Sequence, residues 1–268
     1  MTLFDYFHYA FIQRAYLAGS CIAALCAMLG LFLVLRKLSL IGDGLAHVSF
    51  GAIALGLFFG LYPFYVAIPS VLIASYFILK LTERAKMYGD AAIGIVSALS
   101  IAGGVILASL SKGFNVDLFS YLFGNILAIS DQEVFLSLGL SLAVLVIILL
   151  LYHDLFSATF DEEYARATGV KTERTHLILT SLTAITVVLA IKVVGIMLVS
   201  ALLILPAVTA LQVAAKFRAA MLIAVFSAVV SVVIGITVSF FVDVPAGATV
   251  VIVNVMMFLA ALVLRKFL

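Results

Sequence analysis

Charge is scarce in this sequence: 10% of residues are Asp, Glu, Lys or Arg, against 66% hydrophobic. So little charge excludes a soluble globular domain, and the basic residues are too scattered to form a nucleic-acid patch. Cysteine occurs twice, at Cys21 and Cys26 in one apolar segment. That spacing puts the two on different helix faces, matches no C-x-x-C site and gives no disulfide framework, so both read as packing residues. A phosphate loop is missing as well, because Gly169-Val170-Lys171-Thr172 has Val where G-x-x-x-x-G-K-[ST] needs its second Gly. H-E-x-x-H is absent, and Asp43 lacks the preceding G-x-G of a membrane aspartyl catalyst. Enzyme chemistry within the chain is therefore not expected.

What the chain has is apolar length, with a mean hydropathy of +1.35. Nine apolar segments, each near the ~20 residues that cross a bilayer, run over 15–35, 40–60, 63–81, 91–110, 134–151, 175–191, 193–215, 219–242 and 246–264. The expectation is an all-α polytopic membrane protein, a single transmembrane domain over 1–268, with about nine spans and eight as the other count. Twelve of the 15 Lys and Arg residues fall in the connections on one side, leaving Arg14, Lys112 and Lys192 on the other. The positive-inside rule then puts the N-terminus outside and the C-terminus in the cytoplasm. The positive charges of the first segment follow its apolar run and no A-x-A site is evident, so it reads as a retained anchor rather than a signal peptide.

Two ionisable residues interrupt this apolar material. Asp43 and His47 lie four apart in SLIGDGLAHVSFGAIALG, a spacing that shares one helix face. An unpaired charge at the centre of a span costs roughly 2.5 to 3.5 kcal/mol, so such a residue lines a pathway or meets a partner. One reading is a route for a metal ion. The other places Asp43 near the cytoplasmic headgroups at a broken helix start, with His47 a packing residue. Small residues nearby allow close helix contact, and Pro206 in GIMLVSALLILPAVTA is expected to kink its helix.

The longest polar connection, 152–174, reads as a structured element. Thr159-Phe160-Asp161-Glu162 fits a capping box, with Thr159 as N-cap and Glu162 reaching back to its amide. Gly169 supplies the stop, giving a cytoplasmic helix of two to three turns.

The order and spacing of LRKLSLIGDGLAHVSFGAIALG, YLFGNILAIS, FDEEYARATGV, GIMLVSALLILPAVTA and SFFVDVPAGATVVIV resemble the ABC-3 permeases. These are the membrane subunits of bacterial ATP-binding-cassette importers for zinc and manganese, and the likeness spans nearly the whole chain. The resemblance implies a multi-pass, lipid-embedded permease of the bacterial cytoplasmic membrane that works as a homodimer. Its implied partners are a cytoplasmic ABC ATPase dimer, which consumes the ATP, and an extracytoplasmic metal-binding protein. No permanent cofactor is implied, only transported Zn2+ or Mn2+. Glu163-Tyr164-Ala165 followed by Gly169 looks like the EAA-x-x-x-G coupling element, with Tyr164 departing from Ala, so Glu162, Glu163, Ala165 and Gly169 become ATPase-coupling residues by resemblance. Asp43 and His47 match the carboxylate and histidine of the family's metal pathway. Zinc is preferred because Ser49-Phe50-Gly51 lacks the Pro-Gly that manganese-type members tend to carry.

Among the remaining polar residues, Asp243 is a candidate outer entrance, with a solvated turn before Pro245 as the other reading. Asn115 and Asp117 invite the same two readings. His8, His153 and His176 read as interfacial, and Asn254 as a hydrogen bond between helices. A proton-coupled secondary metal transporter is the rival function. It would normally carry several buried acids or basic relays, which this chain lacks.

Overall fold

The computed structural model describes residues 9–84, 88–110, 118–124, 126, 129–196 and 198–266. His8, Lys86, Lys112, Asn115 and Asp117 lie outside them. All regular structure among the described residues is helical, as it must be where hydrocarbon leaves the backbone to satisfy its own polar groups. In chain order the helices are α1 (Ala10–Leu35), α2 (Ile41–Phe58), α3 (Pro63–Arg84), α4 (Gly89–Leu110), α5 (Leu118–Phe123), α6 (Asp131–Leu150), α7 (Tyr152–Phe160), α8 (Glu162–Ala167), α9 (Thr172–Val194), α10 (Val199–Val213), α11 (Phe217–Val242) and α12 (Ala246–Leu264).

Eight of these, α1 to α4, α6, α9, α11 and α12, are long and apolar enough to cross a membrane. The ninth expected span, over 193–215, is not one helix. α9 continues to Val194, the chain breaks at Gly195, and α10 covers only 15 residues, ~22 Å of helix against a hydrocarbon core of ~30 Å. Gly195 has φ 82° and ψ 165°, a conformation reserved for glycine. A Cβ there would stand 2.4 Å from the backbone nitrogen of Gly124. The break is held by the preceding short helix, whose Tyr121 carbonyl accepts from Ile196 N–H at 3.0 Å. Pro206 lies inside α10.

α1 is the central post, buried without interruption from Leu25 to Leu33 and packed against α6, α7, α9, α10 and α11. α2 packs against α3 and α4. At the α2–α4 crossing a Cβ on Gly51 would come within 2.5 Å of the Ser100 carbonyl, the close backbone approach expected of small residues. Asn254 does not bridge helices: its Nδ2 donates to Val250 O of its own helix at 3.1 Å, and its Oδ1 is buried without a partner.

Polar contacts mark the two ends of the bundle. At one, Arg14 Nε meets Asp131 Oδ1 at 2.7 Å and the Tyr62 hydroxyl donates to Glu133 Oε1 at 2.9 Å. Burial, and after it the hydrogen bond to the Glu133 carboxylate, holds the Tyr62 phenol above its ordinary value. At the other, Arg265 donates to Gln212 at 2.8 Å and a cluster forms around Arg36.

Candidate functional site

Asp43 occupies the first turn of α2, where the helix dipole and free N–H groups favour a carboxylate. One turn on, His47 Nε2 lies 3.5 Å from Asp43 Oδ2. From Ile41 to Ser49 every residue is buried except these two, so they form an open face on an otherwise packed helix. The side chains are 46% and 25% exposed, respectively.

A third polar residue completes the arrangement. The Ser200 hydroxyl, at the start of α10, donates to Asp43 Oδ1 at 2.9 Å. Ser200 precedes Gln212 by twelve positions, ~18 Å of helix, and Gln212 is where α10 meets Arg265 at the end of α12. The Asp43 carboxylate is thus held well inside the bundle, away from that end, although it belongs to a first helical turn. Ser200 was missed by sequence reasoning because serine is ordinary in a membrane helix. Its signal is the break at Gly195, which starts a new helix at the depth of Asp43.

The connection after α6 is ordered, as expected, but differs in detail. It contains two helices, α7 and the six-residue α8, separated by Asp161 in an extended conformation. The N-cap is Asp161, whose carboxylate accepts from Tyr164 N–H at 2.9 Å. Thr159 is still inside α7 and donates to Leu155 O at 2.6 Å, so it cannot cap the next helix. Gly169 terminates α8 as expected, with φ 91°. Gly169 N–H donates to Arg166 O at 3.1 Å and Val170 N–H to Ala165 O at 2.9 Å, the paired bonds of a Schellman stop.

The four expected coupling residues point different ways. Glu163 is exposed beside Tyr164, which is 63% exposed, while Ala165 is fully buried and Gly169 lies at the surface. Glu162 turns inward, bonding Arg166 at 2.6 Å and approaching His176 Nε2 at 3.4 Å and Arg36 Nη2 at 4.0 Å. Burial raises the Glu162 carboxyl, but His176, Arg166 and Arg36 outweigh it and hold the group below its ordinary value. Its contribution to stability is therefore complete above the ordinary carboxylate range and lost as pH falls through the lowered value. His176 is not a loose interfacial residue: it contacts the Arg36 guanidinium directly. Behind α7, Phe156 and Phe160 pack on Phe217 at centroid distances of 5.1 and 5.7 Å, bracing the pair of short helices against α11.

Asp243 is the C-cap of α11, exposed and in the left-handed region at φ 55°. It sits far along the chain from the Asp43 pair and in a turn before Pro245.

A multi-helix membrane bundle with a carboxylate and imidazole held inside it, and an ordered helix pair at one end, is the build of a membrane transport component. The chain belongs to the ABC 3 transport family, whose profile matches residues 8–265. It is 33% identical over 253 residues to the manganese transport system membrane protein MntC of Halalkalibacterium halodurans, covering 94% of this chain and 87% of that protein. It is 31% identical over 253 residues to the high-affinity zinc uptake system membrane protein ZnuB of Haemophilus influenzae, covering 94% and 97%. The structure of PsaBC from Streptococcus pneumoniae in complex with Fab superposes with a TM-score of 0.85 at 31% identity, covering 95% of this chain and 91% of that one. The protein is accordingly a multi-pass permease subunit of a bacterial inner membrane, a transport component rather than an enzyme, with ATP hydrolysis left to a separate chain.

Proposed function

We propose that this chain forms the membrane pathway of an importer that moves a divalent transition metal into the cytoplasm, zinc before manganese, as a homodimer driven by a separate ATPase and supplied by an extracytoplasmic binding protein. The observation that carries the reading is the open face of α2, where Asp43 and His47 alone escape burial between Ile41 and Ser49. Among the described residues no single chain gathers three metal-binding side chains. Two copies around a twofold axis would supply two carboxylates and two imidazoles, enough for a tetrahedral N2O2 set. That set suits zinc better than manganese, which prefers more oxygen ligands in octahedral geometry. The absence of thiolates keeps the site weak enough to release its ion. Manganese and zinc systems both occur among the relatives. The test is ATP-driven uptake of radiolabelled zinc and manganese into proteoliposomes holding this chain, its ATPase and its binding protein. Zinc is expected to accumulate and to compete out manganese. Uptake of manganese unaffected by zinc would reverse the preference, and ATP-independent uptake driven by a proton gradient would favour a secondary transporter.

The orientation follows the charge asymmetry: the Arg14 end of the bundle outside, the α7–α8 end in the cytoplasm. Lys171 and Leu61 are exposed at opposite ends of the bundle. With Cys21 and Cys26 removed, a cysteine replacing Leu61 should react with an impermeant thiol reagent on intact cells. One replacing Lys171 should react only after permeabilisation. Labelling of the second in sealed cells would invert the topology and put α8 out of reach of ATP.

A further inference from the structure

The polar cluster behind α8 reaches directly to the turn that carries the Asp43 helix. Arg36 is the C-cap of α1 and precedes Asp43 by seven positions. Its side chain is 6% exposed, and its Nη2 contacts both the His176 ring and, at 4.0 Å, the Glu162 carboxylate. Glu162 is the first residue of α8, and His176 lies in the second turn of α9. One carboxylate is therefore pinned by groups from α1 and α9 as well as by Arg166 of its own helix. The ends of α8 are closed independently of this link, by the cap at Asp161 and the stop at Gly169.

Three features leave the Arg36 turn free to take a second arrangement. Lys37 is held at φ 60° where glycine is the usual residue. Arg36 Nη1 is buried with no protein partner, so the present state leaves part of a five-donor group unused. A cavity of about 500 Å3, bordered by Arg36, Lys37, Ile41, Ile93, Glu162 and His176, opens beside the turn and gives it room to shift.

We propose that Arg36, Glu162 and His176 form the joint through which movement of α8 is passed to the Arg36–Leu40 turn and so to the metal helix α2. Arg36 and Glu162 are positioning residues: neither touches the candidate metal site, and each acts by fixing where the base of α2 stands relative to α8. The inference rests on the proposed import reading, and it adds a path between the ATPase-facing helix and the ion site. Packed elements that switch between discrete arrangements can carry such coupling through the groups that join them, and this cluster is such a junction.

The experiment measures metal imported per ATP hydrolysed in proteoliposomes containing the complete importer, with ATPase co-purification and thermal stability recorded for each variant. Arg36→Gln and Glu162→Gln should each lower the ratio about tenfold, a loss typical of an allosteric coupling of this kind. The double variant should fall no further than the worse single, because both changes cut one link. Arg36→Lys keeps the charge but loses the planar fork that spans Glu162 and His176, and should lower the ratio too, guarding against a misfolded glutamine variant. An unchanged ratio with ATPase activity and uptake declining together would identify a structural staple and overturn the proposal. So would an equal loss in Arg166→Gln, which cuts the Glu162 pair inside α8 and a bond to Thr172 at the start of α9 but leaves the Arg36 contacts in place. If the unaltered protein itself moved no metal with ATP, the import reading would fail first, a result distinct from either of these.

Discussion

Asp43→Ala and His47→Ala should each reduce ATP-driven metal uptake to background while leaving the protein inserted and bound to its ATPase. The two side chains are the unburied pair on the first half of α2, so truncation removes the proposed ligands without cutting into the core. α8 and its cap involve neither residue, so ATPase docking should persist. A graded partner supports the assignment: Ser200→Ala deletes the hydroxyl that donates to Asp43 Oδ1 at 2.9 Å and should weaken uptake about tenfold, the usual penalty for losing a group that orients a ligand. Ser200→Thr, which keeps the donor, should retain more transport. Normal uptake in both alanine variants at positions 43 and 47 would remove the pathway site. A loss confined to Ser200→Ala would move the critical group to α10.

Gly169→Val should uncouple the importer, because it strikes a backbone conformation rather than a contact. Nothing lies within 4 Å of a Cβ built at Gly169, and its φ is 91°. The added side chain therefore meets open space and the penalty is conformational: a left-handed residue costs roughly 1–2 kcal/mol without glycine, more when β-branched. A six-residue helix has no reserve against that, since short helices are marginal without their end bonds and tertiary contacts. The expected result is weaker ATPase co-purification and a collapse of uptake, deepened by Glu163→Ala on the exposed face. Gly169→Asn, which tolerates the left-handed region, should stay close to the native protein. Unaltered ATPase affinity and transport in Gly169→Val would reduce α8 to an interfacial helix.

Two capping signals of the same form show how far local sequence carries. Thr159-x-x-Glu162, expected to be a capping box, is not one, whereas Ser130-x-x-Glu133, of the same form, is: Glu133 N–H donates to Ser130 Oγ at 3.3 Å and Ser130 N–H to Glu133 Oε2 at 3.0 Å. At Thr159 the preceding helix is still running, and Glu162 finds stronger partners in Arg166, His176 and Arg36. The motif states which bonds are available locally. It cannot state which distant cations will compete for the carboxylate.

Class, helix content and most spans were determined by the sequence alone, because a hydrocarbon surround imposes one solution on every long apolar run. The pairing of Asp43 with His47 was equally legible, since a four-residue spacing fixes a shared helix face whatever surrounds it. The stop at Gly169 followed from the same local logic. Tertiary structure decided the rest. The 193–215 run is mostly apolar and reads as one continuous helix until the backbone of residues 121–124 meets it at Gly195 and breaks it. Ser200 reaches Asp43 across 157 positions of sequence and Arg36 reaches His176 across 140. Helical periodicity specifies what lies on one face of one helix, whereas the partner opposite that face is chosen by packing among all of them.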